Sequence, residues 1–239
     1  MSAGQRLRTP FGEARLARYP LRRRETLRAW DAADEYLLDE LAGLGLGEGT
    51  RLLILNDSFG ALAVSLAALA PSSQGDSYTA HWSLRENLRA NGWPTDSVRV
   101  MTPLDGHQGE YDLVLARVPK TLSLLEEQLL RLKPHLHGAS RVIGLGMARQ
   151  IHTSTLALFE AINRAHPHLA GAQEGTPDLL TARSGAGGGA VTLSQLLSPG
   201  GARVPDLQPR RCLLQGTSGY RHPVVARAHP GRSRPGGYR

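Results

Sequence analysis

The chain has 239 residues, a formal net charge of +7 at pH 7 and one cysteine, Cys212. This length can bury a hydrophobic core in one large domain or two small ones, and a single cysteine excludes an internal disulfide framework and a cysteine-based zinc site. The sequence has no run of about 18 apolar residues and no signal-peptide core, so we expect a soluble, cytoplasmic protein.

The positive charge is unevenly distributed along the chain. Residues 171–239 contain nine arginines, no lysine and three acidic residues, a net charge of +6, which leaves +1 for residues 1–170. Within that nearly neutral part, residues 1–28 carry eight arginines against two glutamates. A basic segment of this kind suits phosphate contacts, and a solvated arm would have the same composition.

The apolar pattern predicts helices and strands in alternation. Apolar side chains recur at helical spacing over 30–44, and a short apolar run at 51–55 predicts a buried parallel strand. Further helices are predicted at 61–70, 83–90, 121–132 and 153–165, and further strands at 97–101, 111–116 and 141–145. The alternation indicates βαβ units, and therefore an α/β, Rossmann-like, mostly parallel sheet with helices on both faces.

The composition changes after residue 170. Residues 171–239 contain 13 glycines and seven prolines and show no sustained hydrophobic periodicity. Such a segment does not bury enough apolar surface to fold, so we predict a disordered C-terminal tail. The sequence is thus divided into a basic N-terminal segment (1–28), an α/β domain (29–170) and a Gly/Pro/Arg-rich tail (171–239).

Five segments of residues 27–165 carry a family resemblance: LRAWDAADEYLL, LILNDSFGALAVSLA, GDSYTAHWSLRENLRANG, VPKTLSLLEEQLLRL and ARQIHTSTLALFE. They resemble, in the same order, the N-terminal domain of bacterial 23S rRNA guanine-N2 methyltransferases. In that family two class I methyltransferase-type domains lie in tandem. The second binds S-adenosylmethionine and carries a catalytic Asn-Pro-Pro motif, whereas the first is a degenerate copy that helps to hold the RNA. The resemblance therefore implies 23S rRNA as the partner and S-adenosylmethionine as the family's cofactor.

The resemblance places four residues at degenerate cofactor positions: Asn56, Asp57, Gly60 and Asp76. The turn after the first strand keeps Gly60, but Phe59 would crowd the space that a cofactor needs. A lone Asp such as Asp76 is more often a turn or N-cap residue than a ribose ligand. We therefore expect no cofactor to bind this chain.

The segment YDLVLARVPKT aligns with the catalytic turn, where Arg117 and Val118 replace the Asn and the first Pro. An Asn side chain accepts hydrogens from the weakly nucleophilic guanine amine, whereas Arg offers only donors. No Asn-Pro-Pro occurs in the chain, so we expect no catalytic residue.

Basic and aromatic residues supply candidates for RNA binding instead. Arginine and lysine suit phosphate, and Tyr78, Trp82 and Trp93 could stack on unpaired bases, although solvated charges and core packing remain the alternatives. The nine histidines show no metal-ligand spacing, so no metal is expected. The candidate RNA contacts are Arg22, Arg23, Arg24, Arg85, Arg89, Arg117 and Lys120.

The tail prompts a hypothesis about its origin. Codons for residues 171–179 can be chosen so that the frame one base later encodes Glu-Pro-Arg-Lys-Ala-Arg-Leu, which resembles the family's linker, and later stretches behave alike. We hypothesise a frameshift before the catalytic domain, which sequencing of the gene would test. Two other functions stay open: a stand-alone RNA- or protein-binding module, and a small active methyltransferase that uses Asp57 or Asp76.

Overall fold

The structure, a computed structural model, describes residues 4–164, 181–184 and 190–196. A two-stranded hairpin comes first, and strands and helices alternate after it. The elements are β1 (Gln5–Thr9), β2 (Gly12–Leu16), α1 (Ala32–Ala42), β3 (Leu52–Leu55), α2 (Ala61–Ser65), β4 (Ser72–Gln74), α3 (Tyr78–Ala90), β5 (Arg99–Met101), β6 (Tyr111–Arg117), α4 (Leu122–Leu132), β7 (Leu136–Met147), α5 (Thr153–Arg164), β8 (Thr181–Ser184) and β9 (Ala190–Leu196).

Seven strands form the main sheet in the order β5-β4-β3-β6-β7-β9-β8. The first five are parallel to their neighbours, whereas β9 runs antiparallel to both β7 and β8. The predicted Rossmann-like, mostly parallel sheet is confirmed. Strand β4 was not predicted as such from the apolar pattern because its three residues, Ser-Ser-Gln, are all polar.

Side chains of the central strands alternate between two hydrophobic layers. Leu52 and Ile54 of β3 pack with α1, α2 and α3 on one face of the sheet. Leu53 and Leu55 pack with α4 and α5 on the other face. Burial on both faces explains why β3 and β6 appear in the sequence as continuous apolar runs rather than as alternating patterns.

Helix α3 begins five residues earlier than the apolar pattern predicted. The Ser77 side chain accepts a hydrogen bond from the Ala80 backbone N–H and so caps the helix. Serine is a preferred N-cap residue because its oxygen satisfies an N–H that lacks a partner within the helix. The early start adds a helical turn on which Tyr78 and Trp82 are exposed.

The N-terminal hairpin is part of the domain and not a separate basic arm. Leu7, Ala14 and Leu16 are buried in the same hydrophobic cluster as α1, α2 and α3. Asn87 of α3 also holds the backbone that follows β2, since it accepts from the Ala17 N–H at 2.9 Å and donates to the Ala17 carbonyl at 3.0 Å. The boundary predicted near residue 28 therefore does not separate the hairpin from the core.

Strands β8 and β9 lie inside the segment predicted to be disordered, and that prediction is wrong for these residues. β9 joins the sheet through seven residue pairs with β7. Its sequence, AVTLSQL, alternates apolar and polar residues over several positions, which is a strand signal that the Gly- and Pro-rich composition concealed. The rest of residues 171–239 lies outside the described residues. No helix in the described ranges is long and apolar enough to cross a membrane.

Candidate functional site

The carboxyl ends of the parallel strands meet at one edge of the sheet, which is where open α/β sheets bind their ligands. The turn at residues 56–60 follows β3, Gly75 and Asp76 follow β4, and residues 118–121 follow β6. All four degenerate cofactor positions therefore lie at this edge, as does the turn that aligns with the catalytic motif.

Asn56 is fully engaged with its own protein. Its side-chain amide pairs reciprocally with that of Gln128 on α4, with N···O distances of 2.8 and 2.9 Å. The same Nδ2 also donates to the Arg117 carbonyl at 3.1 Å. Asn56 adopts a positive φ of 63°, which asparagine tolerates better than most residues. The ends of β3 and β6 are thus joined to α4 by a closed set of hydrogen bonds.

Gln128 was not among the residues predicted from the sequence, although a signal for it was present. Gln128 is a polar residue within the buried stripe of α4, beside Leu125, Leu129 and Leu132. A polar side chain in such a stripe needs a buried partner, because an unpaired amide there would be destabilising.

Asp57 caps helix α2. Its carboxylate accepts hydrogen bonds from the backbone N–H groups of Gly60, Ala61 and Ala63 at 3.2, 3.1 and 2.9 Å. Burial raises the pKa of Asp57, and these hydrogen bonds act in the opposite direction. Both carboxylate oxygens are therefore committed to the start of the helix.

Gly60 allows two helices to approach each other. It has a φ of 84°, and a Cβ built on it would stand 2.9 Å from the Leu84 Cα of α3. The close approach to Leu84 and the positive φ account for a glycine at this position without a cofactor.

Phe59 and Asp76 differ in their surroundings. Phe59 packs against the core beside α1, α2 and α3, and the Arg18 guanidinium lies 4.7 Å from its ring centroid. Asn56 and Gln128, rather than Phe59, are the side chains that meet across the edge. Asp76 is exposed after β4, and the neighbouring Ser77, not Asp76, caps α3.

Arg117 was expected to contact RNA, and the structure corrects this. Its guanidinium donates hydrogen bonds to Asp31 and Asp34, and its side chain is only 16% exposed. These two acids also form the capping box of α1, because the Asp31 carboxylate accepts from the Ala33 and Asp34 N–H groups and the Asp34 carboxylate accepts from the Asp31 N–H. Arg117 therefore ties the end of β6 to the start of α1 and is not available to phosphate.

Lys120 lies on the rim of a cleft beside the same edge. The cleft measures about 250 Å³, and its walls come from the turn after β6 and from the start of α5. Lys120 itself is exposed. The residues that line the cleft are Val118, Pro119, Lys120, Leu122, Gln150, His152, Ser154 and Thr155.

The other predicted RNA contacts lie on α3 and on the loop that follows β2. Tyr78 is 77% exposed and Trp82 is 37% exposed, and the Tyr19 ring centroid lies 5.7 Å from that of Trp82. Arg89 is exposed and pairs with Glu86, whereas Arg85 is half-buried. We call this region the α3 surface, defined as Tyr19, Arg22, Arg23, Arg24, Tyr78, Trp82, Arg85 and Arg89.

Three arginines of the α3 surface are exposed on the loop between β2 and α1. Among the residues that the structure describes, no ion pair involves Arg22, Arg23 or Arg24. Trp93, the third aromatic candidate, is 38% exposed and lies beyond the opposite end of α3. Within the same described ranges, no cluster of His, Cys, Asp and Glu could hold a metal ion.

Residues 4–171 match the family described as RLMG N-terminal domain. The chain belongs to this family. The resemblance stated from the sequence motifs is thereby confirmed, and with it the methyltransferase-type fold.

Curated relatives of this RLMG N-terminal domain protein are longer than the chain itself. It is 47% identical over 154 residues to ribosomal RNA large subunit methyltransferase G of Streptomyces avermitilis, covering 64% of this chain and 40% of the relative. It is 50% identical over 155 residues to the protein of the same name from Stutzerimonas stutzeri, covering 64% of this chain and 41% of the relative. The chain thus spans about two fifths of the length of the curated relatives it matches.

A solved structure supports the fold of the RLMG N-terminal domain at low sequence identity. The crystal structure of a methyltransferase from Pyrococcus furiosus superimposes with a TM-score of 0.51 at 12% identity, covering 77% of this chain and 89% of that chain.

The Arg117 cluster generates a prediction about stability. Replacing Arg117→Met keeps an extended apolar side chain but leaves Asp34, whose side chain is 3% exposed, without its cation. Leaving a buried charge unpaired costs about 3 kcal/mol, so we expect a loss of that order in the free energy of unfolding, measured by urea denaturation at pH 9, where Asp34 is charged in the wild type. Arg89→Met, which breaks an exposed pair, is the matched control and should cost less than about 1 kcal/mol. Equal losses in the two variants would contradict this account.

The same cluster predicts a pH dependence. Burial raises the pKa of Asp34 to about 7, although Arg117 acts in the opposite direction. The folded chain then binds more protons than the unfolded chain between about pH 4 and pH 7, so this group's contribution to the free energy of unfolding falls as pH rises through that window. Between about pH 5 and pH 7 the wild type should lose roughly 2 kcal/mol relative to Asp34→Asn, measured by urea denaturation at each pH. If the difference in free energy of unfolding between the wild type and Asp34→Asn stayed constant with pH, the raised pKa of Asp34 would be refuted.

Proposed function

We propose that this chain is the RNA-positioning N-terminal domain of an S-adenosylmethionine-dependent 23S rRNA (guanine-N2)-methyltransferase and does not itself transfer the methyl group. The observation that carries the proposal is the state of Arg117, which stands at the position of the catalytic asparagine and is engaged with Asp31 and Asp34. A guanidinium has no acceptor, so it cannot orient the guanine amine by accepting its hydrogens. Catalysis then belongs to the part of the relatives that lies outside this match, and we expect the protein to work in the cytoplasm, where rRNA is found.

The residues at the sheet edge do not fit S-adenosylmethionine. A cofactor of this class needs backbone and side-chain groups that are free to bind it, whereas the side-chain hydrogen-bonding groups of Asn56 and the carboxylate oxygens of Asp57 are taken by Gln128, Arg117 and the start of α2. An arrangement of satisfied buried polar groups is costly to open, because each group exchanged must find a new partner.

Calorimetric titration of the whole chain with S-adenosylmethionine tests this part of the proposal. We expect no heat of binding at protein concentrations that would detect a millimolar dissociation constant, with circular dichroism showing that the protein is folded. Stoichiometric binding would favour the small active methyltransferase instead, and the variants Asp57→Asn and Asp76→Asn would then show which acid holds the cofactor.

The α3 surface supports the RNA-positioning part of the proposal. Arg22, Arg23 and Arg24 are exposed, and Tyr19, three residues before them, is held against α3 by a hydrogen bond from the Ser83 hydroxyl to its carbonyl. Arginines in such a position bind phosphate through charge and hydrogen bonding together, without reading the base sequence.

We therefore predict the effect of removing two of these charges. In filter binding to a fragment of 23S rRNA, Arg22→Gln combined with Arg23→Gln should weaken affinity and reduce the slope of log K against log salt by about 1.5. The control, Arg131→Gln with Lys133→Gln, removes two charges at the end of α4, on the opposite face of the sheet, and should leave that slope unchanged. Equal affinities for the two double variants and the wild type would favour the alternative, a protein-binding module on the same scaffold.

A further inference from the structure

We propose that the α3 surface is a stacking platform for unpaired RNA bases, so that the domain engages single-stranded or loop segments in preference to duplex. The inference rests on the proposed RNA-positioning function and specifies the form of RNA that the surface recognises. The evidence for it is the aromatic side chains, which are independent of the exposed arginines that support the proposed function.

The aromatic side chains of this surface lie on one face of α3 and on the loop beside it, and those on α3 are exposed to solvent. Tyr78 and Trp82 are four residues apart on α3, and residues at this spacing occupy the same face of a helix. Their exposed fractions are 77% and 37%. Tyr19 extends the group from the neighbouring loop, with its ring tilted by 54° to that of Trp82. Exposed rings grouped in this way offer planar apolar faces of the kind on which nucleobases stack.

Buried residues of α3 hold the aromatic side chains of the platform in place. This favours binding, because few side chains and little backbone need to become ordered when the RNA binds. Ser83 and Leu84, next to Trp82 in the helix, are 0% and 1% exposed. The Ser83 hydroxyl donates to the Tyr19 carbonyl at 3.5 Å, which fixes the loop that carries Tyr19. A preorganised surface loses less conformational entropy when its ligand binds.

The charges around the rings match a polyanion. Arg22, Arg23 and Arg24 lie just after Tyr19, and Arg85 and Arg89 follow Trp82 along α3. The acidic side chains near them are fewer: Asp76 before the helix, Glu25 on the loop and Glu86, which pairs with Arg89. Interleaved arginines and aromatic rings are the combination that binds single strands, with phosphates on the cations and bases on the rings.

Stacking geometry excludes a regular duplex as the preferred ligand. Bases inside an A-form helix present only their edges, and their faces are already stacked on each other. A side-chain ring can reach a base face only where the base is unpaired, in a loop, a bulge or a single strand. The arginines could bind the phosphates of either duplex or single-stranded RNA, whereas the aromatic rings can stack only on unpaired bases.

Tryptophan fluorescence of the full chain tests the proposal, because the three tryptophans differ in position. Trp30 is 7% exposed, whereas Trp82 and Trp93 are exposed to nearly the same extent, 37% and 38%. Titration with a single-stranded oligoribonucleotide should quench the emission. Trp82→Phe should remove the quenching, while Trp93→Phe should preserve it. A blunt duplex of the same length should bind at least about tenfold more weakly at equal salt.

Tyr78→Ala provides a second test that does not depend on Trp82. Its side chain is largely exposed, so the thermal midpoint should be unchanged, while affinity for the single strand should fall about five- to tenfold with an unaltered salt slope. Equal affinity for duplex and single strand, or full affinity in Tyr78→Ala and in Trp82→Ala, would overturn the stacking platform even if Arg22→Gln with Arg23→Gln still weakened binding. Failure of the wild type to bind any RNA would overturn the proposed function together with this inference.

Discussion

The carboxyl edge of the sheet depends on the two ion pairs that the Arg117 guanidinium forms with Asp31 and Asp34. It joins the end of a central strand to the capping box of α1, and the Arg117 carbonyl accepts from Asn56 at the end of the next strand. The backbone just beyond is also fixed, because the Val118 N–H donates to the Leu145 carbonyl of β7 at 2.9 Å. A turn bound at so many points is rigid, and its polar groups are directed at the protein instead of at a ligand.

This arrangement separates two regions of the same domain. At the sheet edge, the amides of Asn56 and Gln128 pair with each other, and the carboxylates accept from Arg117 and from backbone N–H groups, which stabilises the fold. On the α3 surface, cations and aromatic rings face solvent, and Arg22, Arg23 and Arg24 have no ion pair within the described part of the chain. Polar groups of one small domain are thus satisfied within the protein at the edge of the sheet and left open to solvent on the outside of a helix.

The sequence allowed those strands to be predicted whose side chains are buried on both faces of the sheet. The other strands were predicted only in part. The apolar runs of β3 and β6 and the stripe of α4 were sufficient, because each depends on local periodicity alone. Strand β4, with its polar Ser-Ser-Gln sequence, shows no such signal. The N-terminal hairpin was assigned to a basic segment outside the α/β domain because its exposed arginines dominate the composition, although Leu7, Ala14 and Leu16 alternate with them.

The site was harder to predict because its contacts are long-range. Arg117 meets acids 83 and 86 residues earlier in the chain, and no local pattern indicates that pairing. Without knowledge of that pairing, an arginine on a turn at a ligand-binding edge is expected to bind phosphate.

The net charge was equally uninformative, since +6 of the +7 belongs to residues 171–239. What distinguishes one arginine from another here is an ion pair: Arg117 and Arg89 have one, whereas Arg22, Arg23 and Arg24 have none within the described part of the chain. Whether an arginine of this domain faces solvent without an ion pair therefore depends more on where the fold places the acids than on how many arginines the chain contains.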